Sequence, residues 1–418
     1  MDTISLLAIL FTIAAFFSLL NHNTLRLPPT IGVLVLSLIS SIALMLLDPL
    51  IPAYSLQALP RTVLGALNLP QTLLNGMLSL LLFAGAMQVN MADFKARLLS
   101  ITALSVLGTT LSVLVLASAV WALLPLTGEH LPFLWCILLG AILAPTDPVS
   151  VIGMLKRLGL PGDLQALFAG ESLFNDGVAV VLFTVVLTLA TGNSDVLSAS
   201  HIGFTFLHEA IGGIVTGIIC GTIALFCIRK TDDPHIHLLT SLALATGSFS
   251  IANSLEFSSA IAAVTGGLTF GTRFGRQSLP PEHRAELEST WMLLDEILNI
   301  LLFMMVGLEI IEVKVHSGIF LSLLLVIPLS LISRGASVLL ATLPNYITNW
   351  DKGRSLKLLT WGGLRGGISV ALALGLPPGP MRDSLLPLCY GVVVFSIIVQ
   401  GLTMERVARN LYPTAEPG

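Results

Sequence analysis

Runs of about twenty apolar residues recur along this chain, separated only by short clusters of polar residues, Pro and Gly. That length matches the hydrocarbon thickness of a bilayer crossed by an α-helix, and a backbone in hydrocarbon must satisfy its own amides. Composition excludes the soluble alternative. With 55% hydrophobic and 11% charged residues, the 418-residue chain falls far below the roughly 25% charged content of soluble domains. The expected fold class is therefore an all-α polytopic membrane protein.

Breaking the sequence at its polar, Pro and Gly clusters predicts about thirteen transmembrane helices. They run over 3–20, 29–48, 70–88, 98–125, 132–156, 163–190, 203–228, 236–253, 257–273, 290–312, 317–342, 355–376 and 384–408. Residues 1–20 carry Asp2 where a secretory signal would be basic, so they read as the first membrane helix. The mixed-charge stretch 273–289 reads as a solvated connector, and no soluble domain is expected within 1–418.

The basic residues test this division. If the spans alternate, one side receives Arg26, Lys95, Arg97, Lys156, Arg157, Arg229, Lys230, Arg273, Arg276, Arg284, Lys352, Arg354, Lys357, Arg406 and Arg409. The other side receives Arg61, Lys314 and Arg382. Such a bias puts the C-terminus in the cytoplasm and the N-terminus outside. The same division yields a six-helix half at 3–190, a linker span at 203–228 and a second half at 236–408. The halves would be inverted repeats within one transmembrane domain. The fifth span of each half is interrupted, by Pro145-Thr146-Asp147-Pro148 in one and by Gly362-Gly363-Leu364-Arg365-Gly366-Gly367 in the other. Interrupted helices at matching positions point to a midplane transport site.

Carboxylates inside these runs carry the chemistry. Asp147 lies between two prolines, and Gly170-Glu171-Ser172-Leu173-Phe174-Asn175-Asp176-Gly177 heads the apolar run 178–190. On a helix, Glu171 and Asn175 share one face, as do Ser172 and Asp176. Carboxylates in hydrocarbon are costly and mark an ion or proton path. Desolvation favours the protonated form of such a group, and a hard cation seeking oxygen ligands would compete for the same oxygens. Asp176 and Asp147, with the hydroxyls of Thr146 and Ser172, are the expected ion- and proton-binding residues. The cation they would hold is cargo, and no cofactor is expected.

Arg334, inside the run 317–342, needs a counter-charge; Glu171 is the candidate, in a role more structural than transporting. Arg365 either neutralises half-helix ends or pairs with a carboxylate elsewhere. Asn175 is neutral, so one essential carboxylate would exchange one cation for one proton without net charge movement. Asp295, Glu296, Glu309 and Glu312, towards the two ends of one span, read as mostly interfacial, Asp295 with the option of lining a funnel. Cys136, Cys220, Cys227 and Cys389 read as buried small hydrophobes, and His201, His208, His235 and His237 as span-end residues.

The sequence 144–151, APTDPVSV, followed by 170–177, GESLFNDG, resembles the signature of the monovalent cation:proton antiporters of the sodium/proton exchanger, NhaP-like type; the glycine-rich 362–367 is similar to that family's glycine-rich helix. The resemblance implies two crossed, unwound helices in a six-helix core, a separate dimerisation region and a homodimer in the plasma membrane. It implies sodium (or lithium) exchange for protons at Asp176, with Asp147, Thr146 and Ser172 completing the site. Glu171, Asn175 and Arg334 match its stabilising polar network. Its asparagine–aspartate pair resembles the electroneutral branch. Potassium/proton exchange is the alternative, since ligand oxygens alone do not set cation size. An ion channel would need a filter run, and an intramembrane aspartyl enzyme a Gly-x-Gly-Asp context; the chain has neither. The partners expected are monovalent cation, proton and lipid bilayer, with no nucleic acid.

Overall fold

The computed structural model describes residues 3–48, 62, 65, 76–147, 149–192, 199–313, 318–342 and 352–413. Among them there is no strand. Helix α1 (Thr3–Leu20) runs into a π turn, and α2 is Pro29–Leu47, with its proline where no amide is needed. Next come α3 (Leu78–Met87) and a continuous rod, α4 (Met91–Thr127), whose start is capped by Asn90 on the amide of Ala92 at 3.0 Å. Then follow α5 (Phe133–Ile142), α6 (Val149–Arg157), α7 (Gly162–Ala190) and α8 (Ala199–Ile228). The remainder comprises α9 (Pro234–Ser254), α10 (Ser259–Gly271), the short α11 (Arg273–Ser278), α12 (Pro281–Leu308), α13 (Ile319–Thr342), α14 (Lys352–Trp361), α15 (Gly367–Leu374) and α16 (Pro380–Leu411).

Eight of these helices are long and apolar enough to cross a membrane, and α3, α5 and α10 are shorter apolar helices. Large apolar side chains such as Ile4, Phe204, Phe320 and Leu324 face outward, the arrangement hydrocarbon favours and water would not. The chain is an integral membrane protein. The span expected at 70–88 is described from residue 76, and residues 70–75 lie outside the described residues. The connector expected at 273–289 is instead helical. Thr272 caps α11 on the amide of Gly275 at 3.1 Å, and α12 begins at Pro281, so its first turns carry the charges. A proline at the first helical position and an Arg284–Glu288 pair one turn apart, at 2.6 Å, favour helix over connector there.

The helices pack as two groups. One contains α1, α2, α3, α8, α9, α10 and α12; the other contains α4, α5, α6, α7 and α13 to α16. In the first, α8 lies close on α10. A Cβ at Gly213 would stand 2.6 Å from the carbonyl of Ser258, and one at Gly217 2.5 Å from that of Ala262. Close backbone approach supplies the dispersion contact that lipid-immersed helices cannot obtain from hydrophobic exclusion. Gly267 similarly admits the backbone of α3 at Phe83, while Ser258 caps α10. In the second group, buried hydroxyls return to their own helices. Ser330, Ser333 and Ser337 of α13 donate to the carbonyls of Ile327, Ser330 and Arg334 at 2.7–2.9 Å. That leaves Arg334 as the group on this face needing a partner from elsewhere.

Two helices in the second group are broken, and the breaks meet. Between α5 and α6 the chain is irregular from Leu143 to Asp147, where Pro145 cannot donate an amide. Between α14 and α15 it is irregular from Gly363 to Gly366. The amide of Asp147 donates to the carbonyl of Leu364 at 2.7 Å, joining the two irregular stretches. Gly366 permits the crossing, since a Cβ there would lie 2.9 Å from that of Asp147.

Candidate functional site

Helix α7 passes beside this crossing and brings Glu171, Ser172, Asn175 and Asp176 to it, all buried. Thr146, freed from helical geometry by the break, takes up the polar side chains of α7. Its hydroxyl lies 2.9 Å from that of Ser172 and accepts a hydrogen bond from Asn175 Nδ2 at 2.7 Å. The backbone amide of Thr146 donates in turn to Asn175 Oδ1 at 3.4 Å. Both ends of the Asn175 amide are thereby used, which fixes its orientation and holds the broken segment against α7.

Glu171 lies one turn below Asn175 and accepts a hydrogen bond from it at 3.4 Å. Its main partner is Arg334 of α13, which donates from Nη1 to Oε1 at 2.6 Å and from Nη2 to Oε2 at 2.7 Å. The side chains are 4% and 1% exposed for Arg334 and Glu171. This forked pair neutralises Glu171 and ties α7 to α13. The expected contact is present.

Arg365 meets no carboxylate among the described residues. Its Nη1 donates to the carbonyls of Ala144 at 2.9 Å and Pro145 at 3.4 Å, while its backbone amide donates to Ser396 Oγ at 2.9 Å. Of the two roles open to it from sequence, it fills the first. Its positive charge sits on the carbonyls left unsatisfied at the end of α5. The N-terminus of α15, at Gly366, lies against Asp147 and presents the complementary sign there.

Asp176 differs from its neighbours. Its Oδ1 is buried and has no hydrogen-bond partner among the described residues. The next residue, Gly177, abuts Ile261 of α10, so Asp176 sits where the two helix groups touch. Asp147 is half-buried. The four oxygen-bearing side chains expected to act together, those of Asp147, Thr146, Ser172 and Asp176, are all placed around the crossing. Loosened backbone and half-helix ends of this kind are the setting in which transporters hold hard monovalent cations.

A cavity of about 610 Å³ opens between the two helix groups. Its inner end reaches Leu173, beside Ser172, and Leu364, whose carbonyl holds the Asp147 amide. Lys156 and Arg157 of α6, both exposed, line it as well. Asp295 and Asn299 of α12 and Gln88, just after α3, line the facing wall. Asp295 is buried and lines the cavity, as in the funnel option that the sequence left open; Gln88 and Asn299 had drawn no attention in the sequence. The signal available was the Asp295–Asn299 spacing, one helical turn apart in an apolar run. Glu309, just past the end of α12, is buried, and one further reading changes: among the cysteines Cys227 is exposed on the apolar surface of α8 while Cys136 and Cys389 are buried.

Residues 10–410 match the family described as sodium/hydrogen exchanger, transmembrane. The chain is 35% identical to a protein named Na(+)/H(+) antiporter NhaP from Pseudomonas aeruginosa, over 98% of this chain and 97% of that one. It is 36% identical to the Na(+)/H(+) antiporter NhaH of Halobacillus dabanensis, over 75% of this chain and 76% of the other. Among solved structures, the sodium proton antiporter MjNhaP1 from Methanocaldococcus jannaschii at pH 8 superposes with a TM-score of 0.76 at 19% identity, covering 98% of this chain and 99% of that one. That likeness is one of fold.

Proposed function

The chain belongs to the transmembrane sodium/hydrogen exchanger family, and from that premise we propose that cation and proton compete for Asp176 in an electroneutral, one-for-one exchange. The protein is a secondary antiporter of sodium and protons, a transporter rather than an enzyme. The observation that carries the proposed site is the unpartnered, buried Oδ1 of Asp176 beside two crossed helix breaks. A carboxylate with no donor of its own either holds a proton or awaits a cation. Potassium exchange, the alternative that ligand oxygens leave open, finds no support in relatives named for sodium.

In this reading sodium enters through the cavity, meets Asp147 and Asp176, and completes its shell with the hydroxyls of Thr146 and Ser172. Proton release from Asp176 accompanies its arrival, and proton uptake expels it on the other face. Glu171 and Arg334 cancel each other's charge and Asn175 carries none, so the site's net charge is the same with either cargo. The group containing α7 and the broken helices moves against the group containing α10 and α12. The exposed Lys156 and Arg157 in its lining support a cytoplasmic position for the cavity, with the N-terminus outside. The protein acts as a homodimer in the plasma membrane, its halves at 3–190 and 236–408 forming inverted repeats joined by the linker span at 203–228. The chemistry needs no cofactor.

The test is proton flux in vesicles containing the purified protein, with the external cation varied. Sodium should drive proton movement in the wild type and fail to do so in Asp176→Asn. Sodium-driven flux retained in that variant would remove Asp176 as the carrier.

A further inference from the structure

Apart from the exchange site, two imidazoles meet where α9 and α12 begin. His237, in the first turn of α9, is 1% exposed, and His283, in the first turn of α12, is half-buried. Their ring centroids are 5.5 Å apart and the rings are tilted by 53°. His237 Nε2 lies 2.8 Å from the carbonyl of Thr231 and donates to it, because a carbonyl only accepts. That bond sets the tautomer: a neutral ring carries its proton on Nε2, and Nδ1 presents a bare lone pair. The Nδ1 atoms of both histidines are buried, and neither has a hydrogen-bond partner among the described residues.

A buried lone pair left without a donor is costly, and the cluster of Leu238, Leu279, Leu287 and Trp291 at the same helix starts is apolar. The pair lacks an electron-pair acceptor between its nitrogens. Imidazole nitrogen suits zinc, copper and nickel, whereas a hard cation such as sodium seeks oxygen. With zinc about 2.0–2.1 Å from each nitrogen and a tetrahedral angle, two ligating rings have centroids about 5 Å apart, close to the separation here. The Nε2 bond to Thr231 is the kind of outer contact that orients a metal-binding imidazole. No third His, Cys, Asp or Glu joins the two among the described residues, so the other coordination positions fall to water.

We propose that His237 and His283 bind a divalent transition-metal ion of the zinc class through their Nδ1 atoms and so clamp the start of α9 to the start of α12. The clamp lies within the helix group that does not carry Asp147 and Asp176. It reinforces a contact already present one turn further along α9, where Trp291 Nε1 of α12 donates to Ser241 Oγ at 2.9 Å. Metal binding therefore stabilises the folded chain.

The test is thermal unfolding of the full chain in detergent, free of any histidine tag and stripped of metal by a chelator, followed by tryptophan fluorescence. Zinc at a hundredfold excess over its Kd should raise Tm by about 3 °C for a chain of this length, and sodium at the same concentration should not. The shift should fall below about 1 °C in His283→Ala and in His237→Gln, whose amide can still donate to the carbonyl of Thr231. His235→Ala, two residues before His237 and exposed, should keep it. His283→Ala, at the half-buried position, decides the matter if His237→Gln does not fold. No shift in the wild type would leave the two nitrogens to a bridging water and overturn the proposal. A shift that survives both substitutions, or disappears in His235→Ala, would place the metal elsewhere and overturn it too. So would substitutions that alter only the pH dependence of Tm, which would make the pair a proton site.

Discussion

Removing Arg334 tests how the polar centre is held. In Arg334→Ala, Glu171 loses two charge-assisted hydrogen bonds of 2.6 and 2.7 Å and keeps only the 3.4 Å contact from Asn175. Its side chain is 1% exposed, so water cannot replace the guanidinium. Breaking a buried pair from one side costs about 3–5 kcal/mol. Unfolding entropy of about 2.1 cal/mol/K per residue over a chain this size converts that loss to a fall of about 3–6 °C in Tm. Thermal unfolding in detergent, followed by the fluorescence of a dye binding newly exposed cysteines, would read it. Arg334→Lys keeps the charge but not the fork, and should lose about half as much. The double variant Glu171→Gln/Arg334→Gln removes both charges and should be more stable than Arg334→Ala. An Arg334→Ala protein that melts within about 1 °C of wild type yet fails to transport would refute the argument and place Arg334 in the transport step.

Asp176→Asn preserves size where one oxygen already lacks a partner, so it should abolish sodium-driven proton flux while leaving Tm unchanged or raised. In vesicles clamped at different potentials, the reversal point of wild-type exchange should not move; one net charge per cycle would be worth about 2.3 kcal/mol per 100 mV and would shift it severalfold. Gly366→Val places a branched side chain against Asp147, whose Cβ lies 2.9 Å from the position a Cβ would take, and should lower maximal exchange at least tenfold in the same flux assay. An active Gly366→Val protein would mean that the crossing is looser than described.

The membrane class and the polar centre were legible because hydrocarbon tolerates few exceptions. A run of about twenty apolar residues has few folds open to it, and a carboxylate within such a run stands out against its neighbours. Asp147 and Asp176 could be nominated on that ground, Thr146 and Ser172 as the hydroxyls beside them, and Arg334 because a buried guanidinium demands a counter-charge. The motifs 144–151 and 170–177 supplied the family. The stretch 273–289 misled because its charges suit a solvated connector and the early turns of a helix equally, and capping by Thr272 with Pro281 at a helix start decided for helix.

Only the tertiary structure could decide which partner each charge takes, since the partners are distant in the chain. Arg334 reaches Glu171 across 163 positions, and Arg365 reaches the carbonyl of Ala144 across 221. For Arg365 the sequence left two choices, and the crossing selected carbonyls over a carboxylate by setting the open end of α5 beside it. The wall of Asp295, Asn299 and Gln88 was hidden for the same reason. One polar pair on α12 and a glutamine after α3 mean little apart, and become one polar wall once packing turns them toward one cavity. Sequence thus determined which groups hydrocarbon must accommodate, because that cost is paid residue by residue. Packing determined how each was accommodated, because a hydrogen bond depends on the positions of two atoms that the chain order does not relate.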